Sequence, residues 1–140
     1  MTKETNILLV EDNEGDIVLT LETFSELMLT NNINVIRDGD EAIQFLNKKA
    51  EYAHASTPDL IFLDINLPKI DGKEVLHYIK SQDHLKDIPV VMLTSSSSKR
   101  DKDECFNFKA SFYQIKPLDA IGCLGVLKSL KNFKFLLLNQ

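Results

Sequence analysis

Glu11 and Asp12, Asp64, Thr94 and Lys116 each follow directly on a short strand-like segment. The acidic pair comes after Ile7-Leu8-Leu9-Val10, and Asp64 comes after Leu60-Ile61-Phe62-Leu63. Thr94 and Ser95 come after Val90-Val91-Met92-Leu93, and Lys116-Pro117 after Phe112-Tyr113-Gln114-Ile115. If those segments lie side by side, three carboxylates, a hydroxyl and an ammonium share one rim. Crowded carboxylates each raise the cost of ionising the next, so the set must either take up a proton or bind a cation. Hard oxygen ligands on short loops suit Mg²⁺, with Mn²⁺ as the alternative ion. A carboxylate beside such an ion can attack phosphorus and form an aspartyl phosphate. Lys116 and the metal would neutralise the equatorial oxygens of the transferred group, and Thr94 would supply a hydroxyl donor. No His or Cys stands at a strand end to act as a nucleophile's base, so phosphoryl transfer to a carboxylate fits these residues better than ester hydrolysis.

The elements that must position these groups are legible in the apolar pattern. The three runs at residues 7–10, 60–63 and 90–93 are continuously apolar, as strands are when a parallel sheet is covered on both faces. Asn34-Val35-Ile36-Arg37 and Phe112-Tyr113-Gln114-Ile115 are weaker strand candidates. Between them lie helical patterns. Ile17, Leu21, Phe24 and Met28 form one apolar face, with Asn13 and Asp16 as a capping-box-like start. Ala42, Phe45 and Leu46 follow Asp38-Gly39-Asp40; Val75, Leu76 and Ile79 follow Asp71-Gly72. Residues 99–109 form a weaker helix, and Leu118, Ile121, Leu124, Leu127 and Leu130 a fifth, in which Gly122 and Gly125 lower the propensity. Residues 48–58 read as a long polar surface connection. Strand and helix alternate five times, which predicts an α/β fold: a five-stranded parallel sheet of flavodoxin-like (βα)5 type, strand order 2-1-3-4-5, helices on both faces. Ligands of such sheets bind beyond the carboxyl ends of the strands, where the five residues fall.

The chain has 140 residues, which fits one domain over 1–140 with no output domain. A net charge of −5 argues against a direct nucleic-acid binder, whose face is ordinarily basic. No apolar run approaches the ~20 residues of a membrane span, and the first residues carry no signal-peptide pattern. No membrane association and a cytoplasmic location are expected. Cys105 and Cys123 show no CxxC spacing and read as reduced, partly buried thiols. His54, His77 and His84 lack metal spacing and read as surface residues. The apolar tail Phe133-Lys134-Phe135-Leu136-Leu137-Leu138 either packs on the domain or exposes a patch through which a homodimer forms.

Four motifs in register resemble the receiver domain of response regulators. They are Ile7-Leu8-Leu9-Val10-Glu11-Asp12-Asn13, Asp64-Ile65-Asn66-Leu67-Pro68-Lys69-Ile70-Asp71-Gly72, Val90-Val91-Met92-Leu93-Thr94-Ser95 and Tyr113-Gln114-Ile115-Lys116-Pro117. The resemblance covers essentially the whole chain. It implies that Asp64 is the phosphoacceptor, that Asp12 ligates the metal directly and Glu11 mainly through metal-bound water, and that Asn66 offers its backbone carbonyl. It further implies that Thr94 and Lys116 bond phosphoryl oxygens, that Tyr113 is an aromatic switch turning inward when Thr94 moves, and that Lys116-Pro117 is a cis peptide. The implied protein is a switch that takes up and loses its own phosphoryl group rather than a turnover enzyme. A sensor histidine kinase is its donor and an unidentified downstream protein its readout. The long 48–58 connection and the segment from Leu67 to Leu76 look most like small receivers partnered with bacterial phytochrome-type kinases.

Two rivals stand beside this reading. A phosphatase of the haloacid-dehalogenase type also uses a strand-end aspartate with Mg²⁺, but wants a second carboxylate two residues on, where this chain has Asn66. An interaction module that is never phosphorylated has no need of the acidic pocket.

Overall fold

The computed structural model describes residues 6–29 and 32–130. The elements are β1 (Asn6–Val10), α1 (Glu14–Glu26), β2 (Asn32–Ile36), α2 (Gly39–Leu46), a 3-10 turn (Ala50–Tyr52), β3 (Leu60–Leu63), α3 (Gly72–Ser81), β4 (Val90–Thr94), α4 (Lys99–Asn107), β5 (Phe112–Ile115) and α5 (Ala120–Ser129). The strands form one sheet in the order β2-β1-β3-β4-β5, every neighbouring pair parallel. This is the flavodoxin-like arrangement that the alternation of strand and helix predicts.

The apolar runs are continuous because each strand feeds two cores. Leu8, Val10, Ile61, Leu63, Val90 and Met92 point to one face, where α2, α3 and α4 cover them. Ile7, Leu9, Leu60, Phe62, Val91 and Leu93 point to the other, under α1 and α5. Alternate residues of one strand therefore lie on opposite sides of the sheet, and neither side is polar. All five helices start on an N-cap side chain that accepts the N–H three residues on: Asn13, Asp38, Asp71, Ser98 and Asp119.

Several boundaries differ from the sequence expectation. β2 begins at Asn32 and stops at Ile36, leaving Arg37 to pair with Glu14 at 2.7 Å. α1 ends before Met28, which takes φ 61° and lies exposed. The N–H of Met28 donates to the Ser25 carbonyl and that of Leu29 to the Phe24 carbonyl, which turns Leu29 into the core. α2 closes the same way at Lys48 and α4 at Lys109, both with positive φ. In α5 the buried residues are Cys123, Val126 and Leu127, whereas Ile121 is 85% exposed. Leucines spaced by three drift around a helix of 3.6 residues per turn and cannot all face inward. The 48–58 connection is anchored rather than wholly superficial. Tyr52 packs edge-on against Phe45 at 5.2 Å and donates its hydroxyl to Glu41. The apolar tail at 133–138 lies outside the described residues.

Candidate functional site

The sheet ladder continues one residue past the strands at the carboxyl edge. The Glu11 N–H donates to the Ile36 carbonyl at 2.9 Å, that of Asp64 to the Val10 carbonyl at 3.0 Å, and that of Lys116 to the Thr94 carbonyl at 2.8 Å. With Val10 opposite Leu63 and Thr94 opposite Ile115, the expected residues arrive at one rim by register alone. Thr23 of α1 donates its hydroxyl to the Leu118 carbonyl at 2.7 Å, fixing the segment that carries Lys116. The Lys116-Pro117 peptide is cis.

Glu11, Asp12 and Asp64 bring carboxylate oxygens within 4.8 Å of one another. Asp12 is exposed, whereas Glu11 is 1% and Asp64 5% exposed. Lys116 stands among them, its Nζ 2.5 Å from Glu11 Oε1, 2.9 Å from Asp16 Oδ2 and 3.0 Å from Asp64 Oδ2. The contacts to Asp16 and Asp64 are directed hydrogen bonds. The closer approach to Glu11 Oε1 is an ion pair that lacks the alignment of a directed hydrogen bond. One ammonium against three pocket carboxylates leaves excess negative charge. A hard divalent cation with oxygen ligands offsets that excess, so the donor set fits the metal the sequence implies. Among the described residues no backbone N–H donates to the Asn66 carbonyl. The Asn66 N–H donates to Asp64 Oδ1 at 3.2 Å.

Thr94 is fully buried, and its Oγ1 accepts the Ser96 N–H at 3.2 Å. Half-buried Tyr113 donates its hydroxyl to the Ser96 carbonyl at 2.9 Å. Ser96 Oγ in turn donates to Asp101 at 2.7 Å, and Lys73 of α3 clamps both Asp101 and Glu104 of α4. A chain of bonds thus leads from the rim through the β4–α4 loop to the α3–α4 surface. Asp16 is the site residue that sequence reasoning passed over. Its place in the first turn of α1 gives it a sufficient local role, and only its 100-residue reach to Lys116 marks it as more.

The electrostatics follow from burial. Burial pushes the Glu11 carboxyl up to about 7; the Lys116 contact pulls it down and Asp64 pushes it up further. Burial alone would lower the Lys116 ammonium, but its contacts with Asp16, Glu11 and Asp64 hold it well above the ordinary lysine value. A raised Glu11 stabilises the fold below its unfolded value of 4.5, and that stability is lost as pH rises toward 7. In EDTA, chemical unfolding of the unsubstituted protein is expected to lose up to about 3 kcal/mol over this window relative to Glu11→Gln. Equal pH profiles for the two proteins would contradict this.

The sequence matches the response regulator receiver domain family over residues 7–124. It is 36% identical over 137 residues to response regulator Rcp1 of Synechocystis sp., covering 95% of this chain and 93% of Rcp1. The crystal structure of the phosphorylated cyanobacterial phytochrome response regulator RcpA is similar with a TM-score of 0.81 at 40% identity, over 94% of each chain. The Mn(2+)-bound form of Rcp1 is similar with a TM-score of 0.77 at 36% identity, over 95% of this chain and 89% of that one. Fold, rim geometry and these likenesses lead to one assignment: the chain belongs to the response regulator receiver domain family of two-component signalling.

Proposed function

We propose that this protein is a phosphorylation switch in which Asp64 accepts a phosphoryl group from a histidine kinase. The observation that carries the reading is the convergence of Glu11, Asp12, Asp64 and Lys116 at one rim, where a single ammonium faces three carboxylates. An Asp64 carboxylate oxygen attacks the phosphorus of a phosphohistidine. The new O–P bond forms as the N–P bond breaks, and the electron pair leaves with the ring nitrogen, which takes up a proton. Asp12, Asp64, the Asn66 carbonyl and, through water, Glu11 would hold Mg²⁺, or Mn²⁺ in its place. Such an ion supplies charge neutralisation for the transferred group. Lys116, already 3.0 Å from Asp64 Oδ2, donates to a phosphoryl oxygen on the other side.

The added group brings about −1.5 to −2 charges into the pocket. The Thr94 hydroxyl turns toward it, releasing the Ser96 N–H it now accepts. Tyr113 is tied to the carbonyl of the same Ser96, so its ring and the β4–α4 loop move together. The readout is a protein partner that reads the surface of α4 and β5, where Phe106 and Ile115 are exposed. The likeness to RcpA, a phytochrome response regulator, supports a phytochrome-type kinase as donor. Intact-mass analysis after incubation with acetyl phosphate tests this. A gain of one phosphoryl group is expected with Mg²⁺, none in EDTA and none in Asp64→Asn. Labelling that survives the substitution would remove Asp64 from the mechanism.

A further inference from the structure

Lys116 faces one more carboxylate than a metal and phosphoryl site accounts for. An ammonium has three N–H donors and no acceptor. In this structure its Nζ already meets three acids, Glu11 at 2.5 Å, Asp16 at 2.9 Å and Asp64 at 3.0 Å, and of these Asp16 lies outside the Glu11, Asp12 and Asp64 cluster. The Asp16 carboxylate is 34% exposed at the rim and the Lys116 side chain 11%, so Asp16 holds the ammonium from the solvent side. The reach is set by two anchors. The Asp16 N–H is fixed on the Asn13 N-cap at 2.9 Å, and the Lys116 N–H on the Thr94 carbonyl at 2.8 Å. The other acid of that first turn, Glu14, points elsewhere and pairs with Arg37 at 2.7 Å.

We propose that Asp16 is a positioning residue that shortens the lifetime of the phosphorylated protein by competing with the phosphoryl group for Lys116. The inference rests on Asp64 as phosphoacceptor. A phosphoryl oxygen on Asp64 needs an N–H of Lys116, and Asp16 already occupies one. Its own charge also stands beside a dianion. Both effects bear on the phosphorylated ground state. In the loose transition state of hydrolysis, water approaches phosphorus while the O–P bond to Asp64 breaks. The electron pair returns to the Asp64 carboxylate, and the water oxygen with both of its protons departs as part of inorganic phosphate. Charge then moves off the phosphoryl oxygens toward Asp64, which Lys116 already bonds, so the N–H that Asp16 holds matters less to the transition state than to the ground state. Removing the Asp16 charge therefore stabilises the ground state more than the transition state, and loss of the group slows.

The test is decay of the phosphorylated protein after removal of acetyl phosphate, followed by intact mass at fixed Mg²⁺. Asp16→Asn is expected to decay about three- to tenfold more slowly, about the worth of one partly screened charge beside the site. Asp16→Glu keeps the charge and is expected within about twofold of the unsubstituted protein. Glu14→Gln loses the same helix-terminal charge without touching Lys116 and is expected to leave decay unchanged. Mg²⁺ titration separates positioning from ligation: Asp16→Asn should bind Mg²⁺ within about threefold of the unsubstituted protein, as expected of a group outside the ligand set. Unchanged or faster decay in Asp16→Asn, or a loss of Mg²⁺ affinity matching that of Asp12→Asn, would overturn the proposal. Failure of the unsubstituted protein to label at all would instead overturn the assignment of Asp64 on which it rests.

Discussion

Replacing Lys116 by Met is expected to weaken the metal-free fold by about 2–3 kcal/mol and to slow phosphoryl uptake about a hundredfold. The side chain is 11% exposed and lies against Glu11 and Asp64, both buried. Breaking a buried ion pair on one side leaves its partners uncompensated, at a cost of about 3–5 kcal/mol. Glu11 relieves part of that cost by taking up a proton, which its burial already favours near pH 7. The loss in rate is the effect of removing one directed donor from a charge that develops in the transition state. Metal affinity should move the other way: with the competing cation gone, Mg²⁺ is expected to bind about tenfold more tightly. Urea unfolding in EDTA, Mg²⁺ titration and labelling rates measure the three effects. Weaker Mg²⁺ binding in Lys116→Met would contradict the arrangement in which lysine and metal share the same carboxylates.

Gly72→Ala is expected to destabilise the protein by about 3 kcal/mol or more and to impair metal binding with it. A Cβ on Gly72 would lie 1.9 Å from the Asp64 carbonyl oxygen and 2.7 Å from Ile65 Cα. Both neighbours are backbone, and the Gly72 N–H already donates to the Ile65 carbonyl at 2.7 Å, so neither side can yield cheaply. The backbone that would have to shift is that of the phosphoacceptor itself. At this chain length the cost corresponds to a fall of roughly 10 °C in Tm. Gly125→Ala is the contrasting case. It sits in α5 with nothing within 4 Å of a new Cβ, and a gain of up to about 1 kcal/mol is expected from helix propensity. A mild Gly72→Ala would show that the β3–α3 loop adjusts freely.

The parts legible in the sequence were those written in local pattern. Continuous apolar runs gave the strands because both faces of the sheet are covered, and strand ends then located Glu11, Asp12, Asp64, Thr94 and Lys116 without reference to any relative. Asn13 marked the start of α1 through its cap chemistry, whereas the caps at Asp38 and Asp71 emerge from the structure. Helix ends were less readable, since Met28, Lys48 and Lys109 occupy left-handed positions where glycine is the usual signal. The face of α5 was read in part: Leu118, Leu127 and Leu130 reach the core, but Ile121 points outward because a spacing of three drifts around a helix of 3.6 residues per turn. Asp16 was hidden for a different reason: a helix-start acid is common, and its contact with Lys116 exists only once β5 has been laid beside β4.

The location of the phosphoryl group decides whether Asp64 is the acceptor. After labelling with acetyl phosphate and Mg²⁺, borohydride reduction of the acyl phosphate and peptide mass analysis should find modification on the segment carrying Asp64 and at that residue alone. Modification at another residue, or none in a protein that labels by intact mass, would contradict the assignment of Asp64 as the acceptor.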